Sequence, residues 1–141
     1  MRVRSAPWNY RSARRPAPLL FVANKVTALE RDTGRKLWEY DLGTSARRFL
    51  ADENVLVVLD RYGDLHRLDL VSGLCTGVVK TGLDEPSTFL FDGERFYVSN
   101  DSTVVAIDSN GQELWRQEVA PNGGWGLVGM AVVAQPDFSR G

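Results

Sequence analysis

Val26-Thr-Ala-Leu-Glu-Arg-Asp-Thr-Gly34 has two counterparts further along the chain, Leu65-His-Arg-Leu-Asp-Leu-Val-Ser-Gly73 and Val104-Val-Ala-Ile-Asp-Ser-Asn-Gly111. Val26, Leu65 and Val104 are 39 residues apart, and so are Leu29, Leu68 and Ile107. A period of this length marks a repeat architecture, in which each unit is one supersecondary element that buries its apolar faces only against its neighbours.

Working outward from these anchors, a second apolar run follows each glycine: Lys36 to Leu42, Leu74 to Val79, and Glu113 to Val119. Trp38 and Trp115 each stand four residues beyond the turn glycine, where the middle repeat has Gly77. Ahead of the anchors lie Leu19 to Ala23, Val55 to Leu59 and Phe96 to Ser99, and further upstream Phe49 to Ala51 and Thr88 to Phe91 read as leading strands of the second and third repeats. Short runs rich in Val, Leu, Phe, Tyr and Trp between Gly, Asp, Asn and Ser are strand signals. The glycine supplies the positive φ that closes each hairpin, and Glu30, Asp69 and Asp108 end the preceding strand at one common place.

Four strands per unit of roughly 40 residues is the blade of a β-propeller. The expected fold is therefore all-β: about three four-stranded antiparallel blades over residues 19–43, 46–82 and 87–119, an extra C-terminal strand over 125–134, and an incomplete ring. Residues 1–18 read as a basic, flexible arm and 135–141 as a tail. The third strands of the first and third repeats are apolar on both faces, as a sheet between two sheets should be, whereas His66 and Arg67 spoil the middle one.

The segment from Leu20 to Gly43, with Glu30-Arg-Asp-Thr-Gly34 leading into Trp38, resembles the PQQ-like (quinoprotein-like) propeller repeat, and Ala106 to Trp115 resembles it too. The resemblance covers about residues 19 to 134. This repeat is shared by quinoprotein alcohol dehydrogenases and by a lipoprotein branch in outer-membrane assembly. In the enzymes it implies a quinone held with Ca²⁺ over the axis of an eight-bladed ring, often beside a disulfide of adjacent cysteines. One cysteine and about three blades give no residue to carry those roles, and fold alone does not transfer function.

The 141 residues are 43% hydrophobic and 25% charged, which excludes disorder throughout. Residues 1 to 29 hold six Arg or Lys and no acid, while residues 30 to 141 hold 11 basic against 18 acidic residues, so an acidic body follows a basic arm. Cys75 is the single cysteine, which excludes an intrachain disulfide and a two-cysteine metal motif. Arg2, Arg4, Arg11, Arg14 and Arg15 interrupt the first twenty residues, so no secretory signal or lipid-attachment cysteine is expected near Met1. No run approaches the roughly 20 apolar residues of a membrane span, and the expected location is cytoplasmic.

His66 is the one histidine, and it reads as a polar residue tolerated between blades rather than as a general base, since no Ser or Cys partner is placed by a motif. Cys75 reads as a buried structural thiol. Glu30, Asp32, Asp69 and Asp108 recur with the repeat and belong to its turns, and Asp101, Asp108 and Asn110 lack calcium-loop spacing. Asn122-Gly-Gly-Trp-Gly126 is no phosphate cradle, having no following Lys-Ser/Thr. No catalytic, cofactor-binding or metal residue is therefore assigned, and no cofactor is expected.

The expected function is a non-catalytic interaction or assembly scaffold that completes a ring by self-association, as a homodimer, or with a blade-donating partner chain. The alternative is a small-ligand-binding or quinoprotein-type enzyme subunit whose site forms only in the completed ring. Candidate interaction residues are Trp8, Tyr10, Arg11, Arg14 and Arg15 in the arm, where arginine and aromatic residues interleave as they do on nucleic acids or acidic surfaces, together with Arg61, Tyr62, Asn100, Asp101 and Trp125.

Overall fold

The computed structural model describes residues 17–120 and 129–131. Over these the chain meanders through three antiparallel sheets. The first holds β1 (Leu19–Val22), β2 (Lys25–Leu29) and β3 (Lys36–Asp41); the second holds β4 (Ala46–Ala51), β5 (Val55–Asp60), β6 (Asp64–Asp69) and β7 (Cys75–Lys80). The third holds β8 (Thr88–Phe91), β9 (Arg95–Ser99), β10 (Thr103–Asp108) and β11 (Glu113–Glu118). In each sheet the strands lie side by side in chain order, and the sheets stack as an open array of propeller blades rather than a closed ring.

The first sheet has three strands, in keeping with a sequence that offers leading strands only for the second and third repeats. Among the described residues none precedes β1 in that sheet, and β1 takes the place that β5 and β9 hold in the others. The strand expected over 125–134 falls mostly outside the described residues; Gly129, Met130 and Ala131, which are described, belong to no strand.

The three repeated turns are built alike. Gly34, Gly73 and Gly111 have φ of 76°, 76° and 87°. Their N–H groups donate to the carbonyls of Glu30, Asp69 and Asp108 at 2.8, 2.8 and 3.0 Å. The acidic side chains close the same turns: Glu30 Oε1 accepts from the Thr33 hydroxyl at 2.6 Å, Asp69 Oδ2 from the Ser72 hydroxyl at 2.8 Å, and Asp108 Oδ1 from the N–H groups of Asn110 and Gln112 at 2.9 Å. The Thr33 bond, with the nearby Arg35 charge, holds the Glu30 carboxyl below its ordinary range. These carboxylates are turn residues, as their recurrence implied.

The core lies on both sides of the second sheet. Leu56 and Val58 of β5 pack with Val26, Leu68 and the partly buried Leu20 and Trp38 toward the first sheet. Val57 and Leu59 pack with Leu65, Phe89, Val98, Val105 and Ile107 toward the third. Period-2 alternation sends neighbouring side chains to opposite faces, so a strand covered on both sides is apolar at every position. Val55-Leu-Val-Val-Leu59 is such a run, with Asp60 ending the strand. The reading that His66 and Arg67 spoil the third strand of the middle repeat holds for Arg67, which is exposed, and fails for His66, which is buried. Burial comes from the neighbouring sheets, and among the described residues only the middle sheet has one on each side.

No helix of the described residues is long and apolar enough to cross a membrane.

Gly63 closes the β5–β6 turn at φ 85°, and a Cβ there would lie 2.2 Å from the Leu83 carbonyl oxygen and 2.6 Å from Thr81 Oγ1. Gly34 has a similar φ with no atom within 4 Å of such a Cβ. Gly34→Ala is expected to cost about 1–2 kcal/mol from the left-handed backbone alone. Gly63→Ala, which adds a backbone collision, should cost about 3 kcal/mol or more. Urea unfolding of the two variants checks the difference; equal midpoints would contradict it.

Candidate interaction surface

Four of the candidate residues lie in two corresponding turns at one end of the stack. Arg61 and Tyr62 sit in the β5–β6 turn, and Asn100 and Asp101 in the β9–β10 turn. The segment Asp84–Glu85 links the two turns: the Glu85 N–H donates to the Arg61 carbonyl at 2.8 Å, and Asn100 Nδ2 reaches the Asp84 carbonyl at 3.5 Å. The Glu85 carboxylate also accepts from Arg61 Nη2 at 2.8 Å and from Arg47. Arg61 lies over the Tyr62 ring, 5.4 Å from its centroid, and Tyr62 is 55% exposed. Asn100 is occupied locally, its Oδ1 accepting from the N–H groups of Ser102 and Thr103 at 2.9 Å. The exposed candidates at this end are Arg61, Tyr62 and Asp101, with Arg61 engaged in an Arg47–Glu85–Arg61 clamp that the sequence reading missed. Glu85 carries the signal in the backbone, with φ 48°, but nothing in its local sequence announces it. Trp8, Tyr10, Arg11, Arg14, Arg15 and Trp125 lie outside the described residues.

His66 sits at the joint between the first and second sheets and is held from both sides. Its Nε2 is 2.8 Å from Asp60 Oδ2, and its Nδ1 is 2.9 Å from the Tyr40 hydroxyl. Because a carboxylate only accepts, Nε2 carries the proton and donates to Asp60, leaving Nδ1 to accept from the Tyr40 O–H in the neutral ring. Asp60 Oδ1 is satisfied in turn by the N–H groups of Tyr62 and Asp64 at 2.9 and 3.0 Å. Asp60 and His66 are 2% and 7% exposed, so this is an enclosed network that joins two blades, and it leaves no open mouth for a substrate. The hairpin and the sheet packing bring Asp60 and Tyr40 to His66, residues 6 and 26 positions away in the sequence.

Cys75 is exposed, contrary to expectation. β7 is the outer strand of its sheet, and its side chains are mostly in solvent. Among the described residues no group of three or more His, Cys, Asp or Glu is placed to hold a metal ion.

The two outer faces of the stack carry apolar side chains. In the first sheet Leu19 opposes Leu29, and Phe21 opposes Thr27, on the face away from Trp38; Leu19 and Phe21 are 56% and 63% exposed. On the outer face of the third sheet, Trp115 pairs with Ala106 beside Tyr97 and is 43% exposed. Trp38, its counterpart in the first repeat, faces inward, with its Nε1 donating to the Leu70 carbonyl at 2.9 Å.

Burial pushes the Tyr40 hydroxyl up to about 12, with the neighbouring Cys75 thiol and then the Asp60 and Asp41 carboxylates adding to the rise. The unfolded phenol titrates near about 10. Between these values the folded chain keeps a proton that the unfolded chain has lost. The stabilisation is thus complete below about pH 10 and is lost as pH rises through about 12. Tyr40→Phe is expected to melt with a shallower loss of Tm than wild type across this alkaline window. Circular-dichroism melts check this, and parallel slopes for the two proteins would contradict it.

The same architecture is found in solved structures. BamB from Moraxella catarrhalis is 22% identical with a TM-score of 0.59, the match covering 73% of this chain and 33% of that one. Apo AztD from Citrobacter koseri is 15% identical with a TM-score of 0.59, covering 72% and 32%. A europium-containing methanol dehydrogenase is 16% identical with a TM-score of 0.58, covering 73% and 23%. The matched region thus spans about a third or less of these relatives' length. No curated protein matches the chain. A family model described as outer membrane protein assembly factor BamB matches residues 22–135, and with this match the three stacked blades and their repeated turns identify the chain as a member of that PQQ-type β-propeller family.

Proposed function

We propose that the chain is a non-catalytic propeller section that acts as a protein-interaction scaffold, with its outer sheet faces packed against further propeller sheets from a second copy or a partner chain. The observation that carries this reading is the pair Trp38 and Trp115. Trp38 faces the second sheet and donates its indole N–H to the Leu70 carbonyl, whereas Trp115 presents the same group on an outer face, 43% exposed. Leu19 and Phe21 offer an apolar surface at the other end of the stack. Large side chains of this kind contribute about 1.5–3 kcal/mol each when buried. Exposed apolar faces rimmed by polar residues mark association surfaces. The family's description as an assembly factor supports a role in binding proteins.

Light scattering of the full chain at about 10 μM, run with binding of the apolar dye ANS, tests this. The expected result is either an assembly of more than one chain or a monomer whose outer faces bind the dye. The paired substitution Leu19→Asp, Phe21→Asp, or Trp115→Ala alone, should dissociate the assembly or reduce dye binding. A cooperative monomer that binds no dye and is indifferent to these substitutions would overturn the proposal.

A further inference from the structure

The two joints of the stack are built from the same repeat positions and differ at one of them. In the first joint, Trp38 lies over the neighbouring turn, so close that a Cβ added at Gly73 would fall 2.4 Å from its ring. In the second joint the corresponding position is Gly77, where an added Cβ would meet nothing within 4 Å. The residue across the strand pair changes in the opposite sense. Ala28 pairs with Trp38, and Ala106 with Trp115, but Arg67 pairs with Gly77. Bulk has moved from the fourth strand to the third.

This exchange preserves the tether but leaves the space partly open. Arg67 Nη1 donates to the Ser109 carbonyl at 3.3 Å, as Trp38 Nε1 donates to Leu70, its repeat counterpart. The Arg67 side chain is exposed, and the place over the turn is only partly taken, by Val79, whose Cγ2 would lie 2.9 Å from a Cβ at Gly111. A half-open cavity of about 240 Å³ remains between the sheets, with Val57, Leu65, Phe96 and Ile107 on its apolar wall and Arg67, Thr76 and Ser109 on its polar one.

We propose that this cavity is a binding site for a small planar heteroaromatic molecule of the indole type carrying one ring N–H. The occupant is indicated by the chain itself, since the same position in the first joint is filled by an indole. The apolar lining takes the ring, the second lone pair of the Ser109 carbonyl accepts the ring N–H, and the Arg67 guanidinium packs on the π-face. This site lies within the stack and does not depend on the scaffold reading.

Indole titrated into the ¹⁵N-labelled full chain tests the proposal. Saturable shifts are expected at the amides of Gly77, Val79, Ser109 and Gly111, with a Kd on the order of a millimolar or tighter. 1-Methylindole, which lacks the N–H, should bind roughly three- to tenfold more weakly. The paired substitution Arg67→Ala, Gly77→Trp restores the Ala/Trp pairing of the other repeats, and should raise Tm and abolish the indole shifts. Gly77→Leu serves as the blocking variant if the paired one does not fold. Absence of saturable shifts up to the solubility of indole, shifts centred on the outer sheet faces, or a blocked variant that still binds at these amides would each overturn the site. Equal affinity for 1-methylindole would overturn the assigned N–H contact.

Discussion

Leu56 and Val58 point from β5 toward one neighbouring sheet, and Val57 and Leu59 point toward the other. A single short strand therefore holds two cores apart and belongs to both. Each joint consists of apolar side chains from facing sheets, and such burial is the main favourable term available to a chain with no disulfide. The polar features, from turn caps to the His66 network, are arranged around this demand. A buried His and Asp are tolerated between sheets because Tyr40 and two backbone N–H groups complete their hydrogen bonds.

The repeated joints are similar in plan and unequal in detail. The first is closed by a tryptophan reaching over a glycine, the second by an arginine reaching a carbonyl, and Arg116 adds a further tie there through its bond to the Thr81 carbonyl at 2.6 Å. These substitutions change what fills the joint while leaving the strands in register.

The period of 39 residues and the strand-ending acids made the blades legible in the sequence, because the turn chemistry is local: Glu30, Asp69 and Asp108 bond within a few residues of themselves. Strands β4 to β11 fall where the apolar runs placed them. What was not legible came from contacts between sheets. Tyr40 and His66 are 26 residues apart, and Arg47 and Glu85 are 38 apart. Neither pair leaves a mark on a local pattern. The exposure of Cys75 was missed for a related reason, since an apolar-looking run does not reveal that its strand is the outermost of the sheet. The turn that carries Arg61 and Tyr62 was legible, but the engagement of Arg61 with Glu85 was not.

The hydrogen-bonded chain from Tyr40 through His66 to Asp60 bears on a hazard peculiar to tandem repeats. Blades of similar sequence are able to stack in the wrong succession, or on a neighbouring molecule's blades, as the polypeptide collapses. Purely oily contacts discriminate poorly among such mispairings. A donor and acceptor set that is complete only when β3 meets β5 and β6 acts as a lock with one matching key, because any other pairing strands a histidine and a carboxylate away from water. In this view the least apolar spot in the interior gives the stack its order.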